Sequence, residues 1–482
     1  MSASEAKEVE VSANLGGKKI HPVSVSVSGT VNSFMEGKLT YISKAKKAET
    51  TSTDITSKDV ITTLAQYQTE SFSPESFDSE ITMKDADGGS LSLYGCVSSP
   101  VYTFSVSQFG CDVRMQQAVA KVNAIDMAIY PAFFICAETA VEELDISNYN
   151  TVPEYFMGVF DYFLNKGGEA IADADIPDED KKNRQVQHEI NKKAGAYVSY
   201  IMSASGDSFG WDGLLSSLNE NPEGKDVIRD RIVSIIKKRS GGFFNNILNF
   251  ASEFQCVYVP DFNYGKLVNY KNLLTGDKTT HELGVIALSA QIGSRGMFPV
   301  CCVGAHGIIR HCAEEAVGER GEYTMYPKEG PRDLGTMEVI QGPPWLPESA
   351  WDAEIVHETN TTLQQLKLPP DEAKKTVEEV QKLAETGAKT SLKIIDEWVK
   401  NEYYWNALGQ TYATVQTELA TNCQVGQRVK LKSKGGAELF TGTIWKIEHK
   451  VVSGDIADAT STIEFSHIIM NGAIIPGIDD AS

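Results

Sequence analysis

Five side chains that could ligate zinc crowd the segment Cys301 to Cys312: Cys301, Cys302, His306, His311 and Cys312. Structural and catalytic zinc sites draw on Cys and His, so a metal-dependent enzyme would be built here. The spacing matches no finger or ribbon, and adjacent cysteines ligate one ion awkwardly. The favoured reading is a buried thiol pair beside polar histidines. Asp85-Ala-Asp87-Gly88 and Asp173-Ala-Asp175 each start like a calcium loop. Neither runs on to the closing glutamate, so they read as a turn and a solvated loop.

Other chemistry is scarcer. The chain has no G-x-S-x-G elbow, no G-x-x-x-x-G-K-[ST] phosphate loop and no H-E-x-x-H helix. Gly265-Lys266 lacks the glycine frame and the hydroxyl of a phosphate loop, and His21, His306 and His449 have no triad partners nearby in sequence. The eight cysteines (Cys96, Cys111, Cys136, Cys256, Cys301, Cys302, Cys312 and Cys423) show no C-x-x-C pair and read as free buried thiols. No catalytic residue, cofactor or metal site is assigned, and the expectation is a non-enzymatic protein.

The elements that would carry any site are strands at both ends. Val23, Val25 and Val27 alternate with serines, the period-two signal of a half-buried strand. A second alternation ends at Leu39 and Tyr41. Ile81 to Met83 and Leu91 to Tyr94 flank an Asp87-Gly88 hairpin turn, and Val101 to Val106 closes the run. In the middle, Met115, Val119, Val122, Ile125 and Ile129 fall at helical spacing before Pro131. The charged stretch 171–182 reads as a loop entering a helix. Val227 to Ile236 predicts an amphipathic helix, Gly241-Gly242 a break, Phe243 to Phe250 a short buried helix, and Cys256 to Val259 a strand.

Gly342-Pro-Pro-Trp-Leu-Pro reads as an extended linker. Ala373, Val377, Val380, Ala384, Ala388, Leu392, Ile395 and Trp398 then form one apolar stripe, predicting a long helix over about 370–405. Alternating strands return at Gly426 to Lys432, Phe440 to His449 and Ala459 to His467, with Gly435-Gly436 and Gly454 as turns.

At 482 residues the chain exceeds a single core, and 41% hydrophobic content supplies a sizeable interior. Its 65 acidic and 44 basic side chains give a net charge of -21. That field repels phosphate, and the short runs Lys44 to Lys47 and Lys237 to Arg239 read as solvated faces. No apolar run suits a membrane helix, and the polar, acidic N-terminus is unlike a secretory signal, so folding in a cytoplasm is expected.

The opening Val23-Ser-Val-Ser-Val-Ser-Gly-Thr-Val-Asn-Ser-Phe-Met-Glu-Gly-Lys-Leu-Thr resembles the first strands of baseplate hub proteins of contractile-tailed phages and related contractile injection systems. In those, alternating valines lead into an Asn-Ser corner. The run Val425 to Leu431, Phe440 to His449 and Thr460 to His467 resembles their second tube-like barrel. The likeness covers roughly the first 110 and last 70 residues.

The resemblance implies an α+β chain with two antiparallel tail-tube-like β-barrels: 1–110 and, with a helical insertion at about 370–405, 321–482, around a mixed α/β middle section, 111–320. It also implies a homotrimeric ring in a virion baseplate, assembled in the bacterial cytoplasm. The ring would join a tail tube protein to a central spike protein, touch other baseplate proteins, and pass DNA without binding it specifically. No membrane insertion is expected. Lys430, Lys432, Lys446 and Glu448, at alternating strand positions, are candidates to face solvent. The rival readings are an enzyme with metal in Cys301 to Cys312 and a glycan-binding module.

Overall fold

A computed structural model describes residues 9–15, 18–44, 79–85, 87–104, 108–130, 144–211, 214–215, 222–238, 241–275, 281–283, 287–294, 300–304, 336–340, 398, 401, 405, 409, 411–433, 437–452 and 458–470. The N-terminal strands are β1 (Glu10–Leu15), β2 (Lys18–Ile20), β3 (Ser24–Thr30), β4 (Glu36–Lys44), β5 (Ser79–Lys84), β6 (Ser90–Phe104) and β7 (Gln108–Gln117). Helices α1 (Val152–Asp173), α2 (Asp178–Ser205), α3 (Pro222–Lys237) and α4 (Phe243–Glu253) follow. Next come β8 (Cys256–Val259), β9 (Lys266–Asn269) and the short α5 (Tyr270–Thr275). The later strands are β10 (His281–Leu283), β11 (Ala287–Ser294), β12 (Val300–Gly304), β13 (Thr336–Ile340), β14 (Thr411–Glu418), β15 (Arg428–Lys432), β16 (Glu438–Val452) and β17 (Asp458–Met470).

The class is α+β, built on one large sheet that draws strands from both ends of the chain. Its order is β11-β14-β17-β16-β3-β4-β7-β6-β5-β1-β2, with β15 beside β16 and β10 beside β15. All its pairings are antiparallel except β10 with β15. The joint between the two ends is β3 against β16, where Val27 lies opposite His449 and Val25 opposite Val451. β16 serves both sides because it is bulged at Thr441/Thr443 and Ile444/Lys446. Its first part pairs with β15 and its second with β3. A bulge bends a strand and raises its twist, which lets one long strand change partners.

One face of the sheet is apolar, as the alternation at Val25 and Val27 requires. Val27, Leu39, Ile81, Leu93, Val113 and Met115 form the core under the N-terminal strands. Val415, Val429, Ile444, Ile447, Ile463 and Phe465 form a second core under the C-terminal ones, joined by Val257 and Val268 from the β8–β9 hairpin. A third core, around Phe156, Phe160, Val198, Ile232 and Phe250, belongs to the helices. Thr151 opens α1 with a capping box: its hydroxyl accepts from Glu154 N–H, while Glu154 accepts from Thr151 N–H.

The helix predicted from Met115 to Ile129 does not form. Met115 ends β7, and 3-10 turns at Ala118–Ala124 and Met127–Ile129 follow. Cys111, Val113 and Met115 are all buried at strand spacing, and this period-two pattern prevailed over the period-four one sharing Met115. The Asp87-Gly88 turn lies between β5 and β6, with Gly88 at φ +88. The charged loop of 171–182 reduces to residues 174–177 between α1 and α2. Helices at 222–237 and 243–253 and the strand at 256–259 stand where the spacing put them. The long helix and the Gly342 linker fall outside the described residues, apart from helical positions such as Trp398, which is buried against the helical core.

Candidate assembly interface

The face of the sheet opposite the two β cores is polar and crosses the β3–β16 joint without a break. On β3 it consists of Ser24, Ser26, Ser28 and Thr30, each half-buried. Residues directly opposite in paired strands point the same way, so register defines rows across the strands. One row runs Gln116, Glu36, Ser28, Glu448, Thr462, Gln416. The next runs Arg114, Lys38, Ser26, Lys450, Thr460, Glu418. Rows two residues apart along a strand lie roughly 7 Å apart. An acidic row thus neighbours a basic one through the joint itself, and on the other side of the acidic row Lys446 binds Glu464 at 2.6 Å. The three cationic side chains nearest the joint, Lys38, Lys446 and Lys450, are each within one or two rows of a carboxylate, so the basic row is flanked by acidic groups.

The sheet ends in β11, whose Ser289, Ala290, Gln291 and Ile292 are consecutively exposed. Ile292 is 43% exposed. Its partner is β14, and among the described residues nothing pairs with its outer edge. An uncharged edge strand open on both faces is a template for another strand.

Behind the polar face the C-terminal core holds buried polar groups. His449 is fully buried, and its Nδ1 lies 2.8 Å from Ser461 Oγ, which also accepts from Ala420 N–H. Burial pushes the imidazole down to about 4, with the Cys423 backbone pulling the other way. His467, at a positive φ of 54, packs against the rings of Trp405 and Trp445, which also contact each other. Burial and then the Arg428 charge bring it down to about 3. Arg428 donates to Thr443 Oγ1 and to the His467 carbonyl.

A cavity of about 310 Å³ opens where β5 and β6 meet the middle section. Ser79 and Tyr94 line it from β5 and β6, Lys121 from the 3-10 turn after β7, Tyr197 from α2, and Asn263 and Tyr264 from the loop before β9. The Asp261 carboxylate shapes that loop by accepting three successive backbone N–H groups, Asn263 to Gly265. Lys121 is only 5% exposed, with its ammonium 5.7 Å from the centre of the Tyr197 ring.

Of the residues singled out from sequence, Lys446 and Glu448 do lie on the polar face, Lys446 half-buried and Glu448 exposed. Lys430 lies 3.6 Å from Glu438, and Lys432 is half-buried. Asp85 holds its turn by accepting from Asp87 and Gly89 N–H, and also accepts from the Thr421 hydroxyl. His21 is exposed, apart from His449. Cys301 and Cys302 fall on β12, which pairs in parallel with β13, but their side chains, with His306, His311 and Cys312, lie outside the described residues. Sequence reasoning missed the Lys121 cavity, since one lysine in a 3-10 turn carries no local signature.

No family model and no curated protein matches the chain. Solved structures similar to it include the 43 kDa tail protein of prophage MuSo2 from Shewanella oneidensis, at 10% identity over 95% of this chain and 97% of that one, TM-score 0.37. Another is the tail protein from Neisseria meningitidis MC58, at 8% identity over 95% and 96%, TM-score 0.35. A third is prophage tail protein gp18 from Listeria monocytogenes EGD-e, at 8% identity over 98% and 97%, TM-score 0.34.

Proposed function

We propose that this chain is a structural baseplate hub subunit of a phage tail or related contractile injection machine, closing with two further copies into a homotrimeric ring. The observation that carries the reading is the β3–β16 joint. It makes the polar faces of both terminal β modules, supplied largely by 1–110 and 321–482, one surface. Each subunit then offers two β modules side by side, so three subunits supply six. That number adapts a sixfold tube protein to a threefold spike protein. The Asn32-Ser33 corner and the sequence order at both ends support the same reading.

In this ring the polar face lines the channel and the apolar face stays in the subunit. Rows of alternating sign give a passing DNA no continuous cationic track, and the net charge of -21 disfavours adsorption. The β11 edge is where the next subunit adds a strand, a contact that would remove the exposed edge. The ring belongs to the virion baseplate, is assembled in the host cytoplasm, and does its work without catalysis.

The test is the solution mass by light scattering after size exclusion, with negative-stain images of the same fraction. A trimer with a central hole is the expected result. A protein that stays monomeric at high concentration, and in the presence of purified tube and spike proteins, overturns the reading.

A further inference from the structure

One face of α2 holds the segment 124–130 through Arg184, Gln187, His188 and Asn191, which recur at helical three-and-four spacing. The Arg184 guanidinium donates to the Ile129 carbonyl at 2.7 Å, and Gln187 Nε2 donates to the Ala124 carbonyl at 2.8 Å. Asn191, fully buried, is oriented by backbone: the Asp126 N–H donates to its Oδ1, and its Nδ2 donates to the Asp126 carbonyl. With the amide fixed this way, Nδ2 also donates to the Tyr130 hydroxyl oxygen at 3.1 Å. The hydroxyl hydrogen then goes to His188 Nδ1, 2.9 Å away, which must be the unprotonated nitrogen of a neutral ring.

The same two rings fill a notch in α1. Gly167 and Gly168 lie inside that helix, where glycine is a poor helix former. A Cβ at Gly167 would run into the Tyr130 ring, and one at Gly168 would stand 2.6 Å from His188 Nε2. The two rings meet edge to face, with centroids 5.7 Å apart and planes at 82°. His188 is 8% exposed and Tyr130 3%. Charges stand around the imidazole on three elements. On α2, Lys192 opposes a positive ring and Glu189 favours one. From the held segment, Asp126 acts on Tyr130, and its carboxylate accepts from the Ala128 N–H. On α1, the charged residues within one turn of Gly168 are Lys166 and Glu169, which lie 3.4 Å from each other.

We propose that the Tyr130–His188 contact is an acid-operated latch: a proton added at His188 Nδ1 meets the Tyr130 O–H, expels the imidazole from the glycine notch and frees residues 124–130 from α2. With Nδ1 protonated, the hydroxyl oxygen faces two donors, and its own hydrogen loses its acceptor in a buried site. The charged ring would also lie against bare helix backbone, out of water. Desolvation first, and Lys192 next, hold the seated imidazole below its ordinary value, while a released ring returns to about 6.5. The contact therefore stays shut above that pH, and its contribution is lost as the pH falls below it. Of the four side chains holding the segment, His188 is the one that changes charge in this range. The inference is independent of ring formation, since every residue in it belongs to one chain.

The experiment is amide hydrogen exchange on the full chain, read by mass spectrometry between about pH 7.5 and about pH 5. Protection of peptides covering 124–130 is taken relative to α4, so that the intrinsic pH dependence of exchange cancels. This ratio should fall severalfold in acid. His188→Gln, uncharged throughout, should remove the fall. Should that variant fail to fold, Gly168→Ala tests the same contact, because it closes the notch while favouring the helix. It should show the acid level of protection already at neutral pH. A ratio that does not change with pH in the parent overturns the proposal. So does an equal acid response in His188→Gln, which would assign it to a carboxylate such as Asp126, or parental behaviour of Gly168→Ala.

Discussion

Asn32 and Tyr258 bind each other twice: the Asn32 N–H donates to the Tyr258 carbonyl at 2.8 Å, and the Tyr258 N–H donates to Asn32 Oδ1 at 2.8 Å. A corner after the first long strand thus imitates a strand pair with β8, across 226 residues. Asn32 reaches it in the left-handed region, at φ 62, where asparagine is among the better tolerated residues. The same joint is reinforced by Gln117, fully buried, whose amide accepts from Met35 N–H and donates to the Asp261 carbonyl.

Removing the Asn32 amide leaves the Tyr258 N–H without its acceptor. Asn32→Ala should cost about 1–3 kcal/mol for that donor, with added backbone strain at positive φ. Asn32→Gly relieves the strain and should cost less. Urea midpoints of both variants measure the difference. Equal midpoints for the two would mean that backbone strain contributes nothing at this corner.

Gly442 in β16 is the second backbone position under constraint. A Cβ there would stand 3.3 Å from Phe465 Cδ1 and 3.4 Å from both Ile468 Cγ1 and Phe440 Cε2. The methyls of Gly442→Val have nowhere to go without moving that core, so a loss of about 1–3 kcal/mol is expected. Thermal melting reads the loss directly. Light scattering on the same variant should show weaker trimerisation if this end of the sheet meets the next subunit.

Ile292→Lys places a charge on the exposed edge of β11. Melting should stay within about 0.5 kcal/mol of the parent, as for most surface changes. Trimer dissociation on dilution should nonetheless occur at a higher concentration, because a charged edge resists strand addition. An unaltered dissociation curve would move the subunit contact elsewhere.

The buried histidines set a pH dependence. In the unfolded chain both imidazoles titrate near the ordinary value of about 6.5. In the fold His449 is held down to about 4 and His467 to about 3. The unfolded state therefore binds more protons below about pH 6.5, and the stability the neutral rings contribute above that pH is lost as the pH falls toward 4. The urea midpoint should drop across this interval. His449→Gln should shrink the drop, and an unchanged slope would assign it to carboxylates instead.

Local pattern was legible in this sequence and long-range pairing was not. Val25 and Val27 announce a strand because alternation is a property of neighbours. Nothing near them names residues 446–452 as the partner, since any strand of suitable length offers the same backbone groups. β11, Ala-Leu-Ser-Ala-Gln-Ile-Gly-Ser, carries little strand signal because small residues blur the alternation. β14 alternates through Ala413 and Val415, a shorter signal than the runs after it. Outward positions such as Lys446 and Glu448 could be read singly. Their ordering into rows depends on register, which only the assembled sheet fixes.

The pairing of residues 24–30 with 446–452 also constrains how the protein is made. Ribosomes add roughly 5–20 residues per second, so β3 leaves the ribosome tens of seconds before its neighbour exists. Through that interval its Val-Ser-Val-Ser edge is open to other nascent chains from the same polysome. A translation product released before residue 446 would keep that edge permanently, leaving truncated copies sticky and poorly able to enter an assembly built from finished ones.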